Sequence, residues 1–556
     1  MSKRYIHDDE KSSSSSIVSY SHPSKRARRV DRLSSLSDEL LLHILSCLPI
    51  PSLIVCQRLS RRFHALAGDS ELWKRLYYSQ WVRPRARRLA NKKRASMLPA
   101  KAEYSPKVST WLDQSHLAKE GRPTNWKRQY HLKHNWSKGI CRLTEIEFAQ
   151  QPRPPLLVEF CADFIFTADS GHGLRAWIAG NPRFCVAHIP SECSSDVPTA
   201  LSATRSLDEK NIEIAVGFQD KGFSVYDLDI KASKLSLHFN HTGSTSKTIT
   251  AMALSAPYLL TVSKYKALSL YKILSGPKGR NRSGGSDGAR LLASLQADNI
   301  AAPMSLSIRA AQSEIIASIV YSFYHIGCGW SLGIQELRLN SNGQQIGSRL
   351  ATTVDSQYGI RPLTHSERIF HSTWDYQAEG VRRFTMPSEP FILHQEPPTS
   401  LSYRHPFLLA SHPDNTLTVY LVVSTSNSLF VKSGQRLWGH TSSVGTVQVN
   451  DRGKAISVSS RGDEIRVWEL ESVVSSPVAR RKAKEASSTR LSPENARTDL
   501  HGNRDRPAPN VAERASSDVS REMARIQSCI GFDEERVFLL REQEMGEALL
   551  ECYIFI

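Results

Sequence analysis

One stretch has a spacing suited to catalysis. Gly284-Gly285-Ser286-Asp287-Gly288 fits the Gly-x-Ser-x-Gly pattern of a nucleophilic serine. Such a serine attacks an acyl carbon when a sharp strand-to-helix turn lifts it over a buried sheet, beside a base and an oxyanion hole. Here the pattern sits inside the basic run "GPKGRNRSGGSDGAR" (276–290), with no strand ending at it and no helical period after it. We read it as coincidence. No Gly-rich segment leads to Gly-Lys-Ser or Gly-Lys-Thr, no HExxH occurs, and no carboxylates cluster into an acid and base pair. The histidines are dispersed. Nine cysteines, among them Cys47, Cys56, Cys161, Cys328, Cys529 and Cys552, form no CxxC pair, which points to reduced core thiols and away from a disulfide frame or a zinc site. The expectation is a protein without catalytic residues, metal or cofactor.

What, then, do 556 residues build? The length exceeds one compact core, so at least two units are expected. The net charge of +18 concentrates in "SKRARRVDR" (24–32), "RPRARRLANKKR" (83–94) and "ARRKAK" (479–484), runs without hydrophobic period that read as solvated linkers or nuclear import signals. The opening residues hold no apolar core of signal-peptide length, and no run of about 18 apolar residues follows. An intracellular protein of nucleus or cytoplasm is expected, with no membrane partner.

The stretch "LSDELLLHILSCLP" (36–49) reads as a helix. Ser37 is a favourable N-cap, Asp38 and Glu39 suit the positive end of the helix dipole, and Pro49 and Pro51 stop continuation. Leu40, Leu41, Ile44, Leu45, Cys47 and Leu48 spread over about half the helix surface, wider than the roughly 100° stripe an ordinary surface helix buries. Something beyond a hairpin partner must cover it. Further short helices follow: one carrying Leu53, Cys56 and Leu59, one capped by Ser60 with Phe63 and Leu66 and closed by Gly68, and one capped at Asp69 or Ser70 with Leu72, Trp73, Leu76 and Tyr77. A unit this small gains from an external partner.

Leu36, Glu39, Leu40, Leu41, Ile44, Leu45, Leu48, Pro49, Leu53, Leu59, Ser60, Arg61, Arg62, Phe63, Leu72 and Trp73 stand in the register of an F-box, which residues 36–76 resemble. Ser37 replaces the usual Pro, and Phe63 a common Trp. The resemblance implies docking onto the Skp-type adaptor of a Skp-cullin-F-box ubiquitin ligase, and through it onto a cullin. It assigns adaptor contact to Leu36, Ser37, Leu40, Leu41, Ile44, Leu45, Leu48, Pro49 and Leu53.

Residues 82–139 read as a basic linker, partly helical at "NWKRQYHLKHNW" (125–136) with Trp126, Tyr130 and Leu132 as apolar points. Beyond it the texture changes to short apolar runs between turns. Candidate third strands carry an aromatic near their ends, at Trp177, Tyr226, Tyr271, Phe384, Tyr420 and Trp468, each after a two-strand set. One further set lies between Tyr271 and Phe384, and another runs to Ile556. Four-strand units stack, and closing them in a ring protects their edges. A β-propeller over 140–556 is therefore expected. The sets number eight, or seven if the interval from 384 to 420 hides a merged blade. Because the sequence ends on a third strand, "ICRLTEIEF" (140–148) is expected to complete the last blade.

One repeat, "WGHTSSVGTVQVNDRGKAISVSSRGDEIRVWELE" (438–471), resembles a WD repeat. Gly439-His440 opens it, and Trp468-Glu469 stands for Trp-Asp. The resemblance implies a structural hydrogen-bond chain through His440, Ser457 and Trp468. The usual turn Asp is displaced, since the sequence reads Gly462-Asp463. Residues 1–32, the Gly-rich loop 276–290 and the tract 473–522 are expected to be disordered.

The fold expectation is thus an F-box helical unit (33–81) followed by a WD-like propeller of seven or eight blades, in the manner of the F-box/WD family. The function this implies is a ligase subunit whose propeller selects an unknown protein target. The alternative is a propeller scaffold binding nucleic acid or a chromatin partner. Against it, the basic residues lie in linkers without the interleaved aromatics of single-strand binders. Arg175, Arg382, Arg383 and Arg466 fall on candidate strands, where sequence alone does not assign a face.

Overall fold

The computed structural model describes residues 33, 35–84, 124–147, 155–180, 184–191, 197–206, 208, 210–220, 222–241, 248–274, 288–296, 300–310, 314–340, 342–357, 392–432, 434–471, 488–493, 525–542 and 548–556. The chain divides into two units, Met1–Leu76 and Tyr77–Ile556.

The first unit holds four short helices, α1 (Asp38–Ser46), α2 (Ile50–Cys56), α3 (Arg61–Ala67) and the start of α4 (Ser70–Tyr77). Each begins where the sequence offers a start signal. Pro49 and Pro51 open α2, and Ser60 Oγ accepts from Phe63 N at 3.2 Å. Asp69 Oδ1 accepts from Glu71 N and Leu72 N at 2.9 and 3.2 Å, so Asp69 caps α4. Ser37 and Gly68 hold the N-cap of α1 and the C-cap of α3 as expected, but without the usual cap geometry. Ser37 has an extended N-cap backbone, but its side chain makes no capping bond. Gly68 ends α3 in the right-handed region, at φ −91°, so that turn does not need glycine for its backbone.

Among the described residues, the second unit contains seven sheets. In chain order, β1 (Ile140–Glu147) precedes blade 1, made of β2 (Leu157–Cys161), β3 (Phe164–Asp169), β4 (Gly173–Ile178) and β5 (Cys185–Ile189). Blade 2 holds β6 (Pro198–Arg205), β7 (Asn211–Phe218), β8 (Phe223–Asp229) and β9 (Lys234–His241). Blade 3 holds β10 (Ile249–Ser255), β11 (Tyr258–Ser263), β12 (Ala267–Ile273) and β13 (Ala289–Gln296). Blade 4 holds β14 (Ala301–Ala310), β15 (Glu314–His325), β16 (Gly329–Asn340) and β17 (Gln345–Thr352). Blade 5 holds β18 (Ser400–Arg404), β19 (Phe407–Ser411), β20 (Leu417–Ser424) and an outer strand split into β21 (Leu429–Val431) and β22 (Gln435–Leu437). Blade 6 holds β23 (Val444–Val449), β24 (Lys454–Ser459), β25 (Ile465–Glu469) and β26 (Ser488–Arg490). Blade 7 combines β28 (Arg525–Phe532), β29 (Arg536–Glu542) and β30 (Ala548–Ile554) with β1, which pairs antiparallel to β30 from Arg142↔Ile554 to Glu147↔Leu549. The ring closes as expected from the final third strand.

The eighth expected set centres on Phe384, outside the described residues. The tract 473–522 needs correction, because Ser488–Arg490 is the fourth strand of blade 6 and β27 (Ser492–Pro493) pairs in parallel with β1. Three polar residues carry no apolar period, so nothing in the sequence marks them as a strand.

Every third-strand aromatic named above, within the described residues, lies on the third strand of its blade, and each packs in a different hydrophobic cluster. Between Ala176 and Trp177, Val225 and Tyr226, Leu270 and Tyr271, and Arg338 and Leu339, the fourth strand slips by a bulge. Such bulges twist an edge strand away from flat pairing and so guard blades 1 to 4 against edge-to-edge association. At the inner edge, serines satisfy backbone donors of the following blade. Leu254 N donates to Ser202 Oγ at 3.1 Å, Tyr403 N to Ser305 Oγ at 3.0 Å, and Val449 N to Ser402 Oγ at 3.0 Å.

A fifth helix, α5 (Trp126–Lys138), belongs to this unit and buries Trp126, Tyr130, Leu132, Asn135 and Trp136. Trp136 stacks on Phe555 at 3.7 Å, Lys454 Nζ stands 3.9 Å over its ring, and Asn135 Nδ2 donates to Phe555 O at 2.8 Å. Gly139 ends the helix at φ +68°, and a Cβ there would stand 2.0 Å from Arg490 O, so only glycine fits. Tyr77, Tyr78 and Trp81 join Trp126 and Tyr130 in an aromatic cluster. The stretch 82–139, read as a linker, therefore contributes a docked helix.

Candidate functional site

In the helical unit the broad leucine arc divides into two. Leu41, Leu45 and Leu53 are buried with Ala67, Leu72 and Trp73, forming the unit's own core. Trp73 Nε1 and Gln57 Nε2 both donate to Ala67 O at 2.9 Å, locking α4 and the end of α2 onto α3. Arg62 binds the start of α1, through Nε and Nη2 to Asp38 Oδ1 at 2.9 and 2.6 Å and through Nη2 to Leu36 O at 2.6 Å. This explains the Ser-Arg-Arg segment: Ser60 starts α3, and Arg62 ties it to α1.

Leu40 and Ile44 face outward, 54% and 41% exposed, together with Ile54, Val55 and Leu59 from α2 and its end. Leu36 and Leu48 are half-buried, and Ser37 and Pro49 are exposed. The assignment of adaptor contact to Leu41, Leu45 and Leu53 is therefore corrected, because side chains sealed in the unit's own core have no surface left for a partner. The large apolar side chains that α2 leaves exposed are Ile54 and Val55. Sequence reading passed over them because α2 is too short for its period to separate two faces.

The second cluster is in blade 6. His440 Nε2 lies 2.6 Å from Ser457 Oγ, and Trp468 Nε1 donates to the same oxygen at 2.7 Å. The displaced turn acid is replaced by Glu464, whose Oε2 accepts from Thr441 N at 2.9 Å and lies 3.3 Å from His440 Nδ1. Glu464 Oε1 accepts from Arg466 Nε at 2.7 Å. Burial raises the Glu464 carboxyl, but the Thr441 N–H and the Arg466 guanidinium outweigh it and hold it below the usual range. Burial pushes His440 down to about 4, against the pull of Glu464. At Gly439 a Cβ would stand 3.0 Å from Arg466 Nη1 and 3.1 Å from Ser488 Oγ, a tight fit that those side chains would have to relieve by a small shift. A buried imidazole bonded through Nε2 to Ser457, with Nδ1 beside Glu464, suits a structural part in the blade.

Blade 1 carries a counterpart that sequence reading missed. Trp177 Nε1 donates to Thr167 Oγ1 at 3.0 Å, and Arg175 Nη2 to Asp169 Oδ2 at 2.9 Å. Arg175 and Arg466 hold the same register, each opposite the strand hydroxyl, Thr167 or Ser457. Both guanidiniums are committed to carboxylates within their blades. Arg382 and Arg383 lie outside the described residues, as do Ser286, the basic runs 24–32 and 479–484 and all of 83–94 beyond Pro84. Blade 5 holds a further cluster without any motif. His394 and His412 stack at 3.7 Å, His412 Nε2 lies 3.1 Å from Thr418 Oγ1, and Arg436 Nη2 lies 3.3 Å from His394 Nδ1. Burial, with Arg436 beside it, pushes His394 down to about 4, and burial beside His394 pushes His412 down to about 3.

Among the described residues no group of His, Cys, Asp and Glu is placed to hold a metal ion, and no helix is long and apolar enough to cross a membrane. Cys141, Cys328 and Cys552 are buried thiols, whereas Cys47 and Cys185 are exposed, so the expectation of core thiols holds for only part of the set.

Comparison with known proteins joins the two units. The family described as the F-box protein pof12 β-propeller matches residues 141–556, and an F-box-like domain matches residues 33–79. The chain belongs to this F-box propeller family. A relative, F-box protein pof12 of Schizosaccharomyces pombe, is 22% identical over 454 residues, covering 79% of this chain and 84% of its own. Among solved structures, the β-propeller domain of Cps50 (Swd1) from Myceliophteria thermophila matches 74% of this chain and 98% of its own at 10% identity, with a TM-score of 0.38. The complex of KlAtg21 with the coiled-coil of AgAtg16 matches 71% and 94% at 11% identity, with a TM-score of 0.37. Neither likeness is close enough to carry an argument. F-box domains generally bind Skp1-type adaptors, and F-box propeller proteins are typically non-catalytic.

Proposed function

We propose that this F-box protein is the target-selecting subunit of a Skp-cullin-F-box ubiquitin ligase. The outward apolar residues Leu40, Ile44, Ile54, Val55 and Leu59, with half-buried Leu36 and Leu48 and exposed Ser37 and Pro49, would dock the Skp-type adaptor. The propeller would hold a protein target for ubiquitination and proteasomal degradation. The observation that carries the reading is the outward set on the helical unit, within a chain of this family. A small unit leaves such residues in water only at a cost, and burying each leucine-sized side chain against a partner returns roughly 1.5–3 kcal/mol before association costs.

The chain's own contribution is proximity. Holding a target near a charged ubiquitin-conjugating enzyme raises the local concentration of the reacting groups without adding a catalytic group. The intact chain is expected to co-purify with Skp-type adaptor and cullin, and the Leu40→Asp/Ile44→Asp variant to lose adaptor affinity by about 100-fold or more while its propeller melts unchanged. Equal recovery of adaptor by both chains would refute the docking face.

A further inference from the structure

We propose that His238 is a proton-operated latch between blades 2 and 3: as an imidazolium it joins Asp227 of its own blade to Leu274 of the next, and on losing its proton it lets that joint open. This goes beyond the receptor reading and does not depend on it.

The bulges single this residue out. In blades 1, 3 and 4 the residue that the bulge inserts into the fourth strand is apolar, Val186, Leu292 or Ile346. In blade 2, Val225 pairs with Phe239 and Tyr226 with Leu237, so the inserted residue is His238. An inserted residue leaves the alternation of its strand, and its side chain is re-aimed. Here the ring reaches acceptors on two blades. Nδ1 lies 3.4 Å from Asp227 Oδ2, and Nε2 lies 3.4 Å from Leu274 O. A neutral imidazole carries one N–H and donates to one acceptor at a time; only the imidazolium serves both.

The joint lies where the connection between β12 and β13 leaves blade 3 at Leu274 and returns at Gly288. Leu274 N donates to Gly288 O at 3.0 Å, which pins the two ends together. Phe239 packs against the returning end so closely that a Cβ at Gly288 would stand 2.3 Å from its Cγ. Blade 2 therefore holds this joint through an apolar contact that ignores pH and, at the neighbouring residue, a polar one that depends on it.

The surrounding charges favour the protonated ring. Asp227, by hydrogen bond and by charge, lifts His238 above its usual value against the opposing effect of burial, and Leu274 O and Glu213 add to the lift. Glu213 stands directly opposite Asp227, and its own carboxyl is raised by burial and by that neighbour. Loss of the His238 proton leaves the two carboxyl groups opposed with no cation beside them. Among the described residues, Asp229 and Lys234 are the next pair along this face, and Asp229 Oδ1 is committed to the N–H groups of Lys231 and Ala232. From blade 3, Tyr271 turns toward blade 2 but packs on Phe223 and His241. Lys272 and Arg290 stand opposite each other and alternate with Ile273 and Ala289, which face blade 2, so both lie on the far side of blade 3. A folded value above 6.5 means stabilisation that is complete below pH 6.5 and is lost as pH rises through the folded value.

The test is an NMR titration of the intact chain with carbon-labelled histidine, from about pH 5.5 to about pH 9, with His238 identified as the signal missing from His238→Gln. Its midpoint is expected above 6.5 in wild type and at or below 6.5 in Asp227→Asn. Hydrogen exchange at the Leu274 amide, corrected for the intrinsic rate, is expected to speed up several-fold through the wild-type midpoint and to show no step in His238→Gln. A wild-type midpoint at or below 6.5 overturns the proposal, as does a midpoint unchanged in Asp227→Asn. So does a wild-type exchange profile without a step, or a step that persists in His238→Gln. His238→Asn replaces the glutamine variant if that chain does not fold, and the wild-type titration stands without Asp227→Asn. The Leu40→Asp/Ile44→Asp chain should titrate as wild type does, so the latch and the ligase reading fail separately.

Discussion

The helical unit and the propeller treat surplus apolar residues in opposite ways. The propeller buries them ring-wise, each blade's face against the next, and protects its outer strands with bulges. The helical unit has too few residues to do so. Its inner leucines make a small core, and Leu40, Ile44, Ile54, Val55 and Leu59 remain in water. A burial deficit that a ring solves by repetition remains, in a short helical unit, as an exposed apolar face.

Adjacent residues put this contrast to its hardest test. Leu53 is fully buried and Ile54 is 43% exposed. Leu53→Asp is expected to destabilise the helical unit by about 4 kcal/mol or more, enough to unfold it, whereas Ile54→Asp should leave helicity unchanged and weaken only adaptor binding. Circular dichroism beside adaptor titration separates the two. Equal loss of helicity in both would erase the distinction between core and face.

Within the propeller, Trp468→Ala should cost about 3–5 kcal/mol through cavity formation, measured by denaturant melting. Trp468→Phe keeps most of the packing and removes the donor to Ser457, for about 1–3 kcal/mol. A Trp468→Phe cost as large as that of Ala would show that the hydrogen-bond chain, not packing, dominates blade 6.

The depressed histidines predict a pH signature confined to the propeller. His440 and His394 stay neutral down to about 4 and His412 to about 3. The unfolded chain begins to bind protons near pH 6.5, so stability falls as pH drops from about 6.5 toward 4, by up to about 1.4 kcal/mol per pH unit per site. His440→Gln should flatten that slope. Equal pH slopes for wild type and His440→Gln over this interval would contradict it. The smallest effect is expected at the inner edge, where Ser402→Ala leaves Val449 N without its partner at 3.0 Å and should cost about 1 kcal/mol.

The legible parts of the sequence were those where a period or a cap acts locally. The third-strand aromatics marked the blades because each repeats the same register, and Ser60 and the prolines marked helix starts. The division of the leucine arc was not legible, because helical period says which residues are apolar but not which of two apolar faces the unit will close over itself. Glu464 escaped notice because it reaches the position of the displaced turn Asp from the residue just before β25, a substitution that only the fold reveals. Ser488–Arg490 and the His394–His412 stack depend on partners far along the chain, which no local pattern reports. The long blade 4 hairpin was read only as one more strand set.

The pairing of β1 with β30 has a consequence for biosynthesis. Blade 7 is built from residues separated by almost the whole propeller sequence, Glu147 beside Leu549 and Arg142 beside Ile554. As the ribosome delivers the chain, β1 emerges early and waits, its edge unpaired, while six blades are made. A chain cut short before residue 548 would keep an open ring with two exposed sheet edges, the surface that chaperones and proteases recognise. Closure thus serves as a count of what has been translated: the clasp engages only when the last strand has arrived.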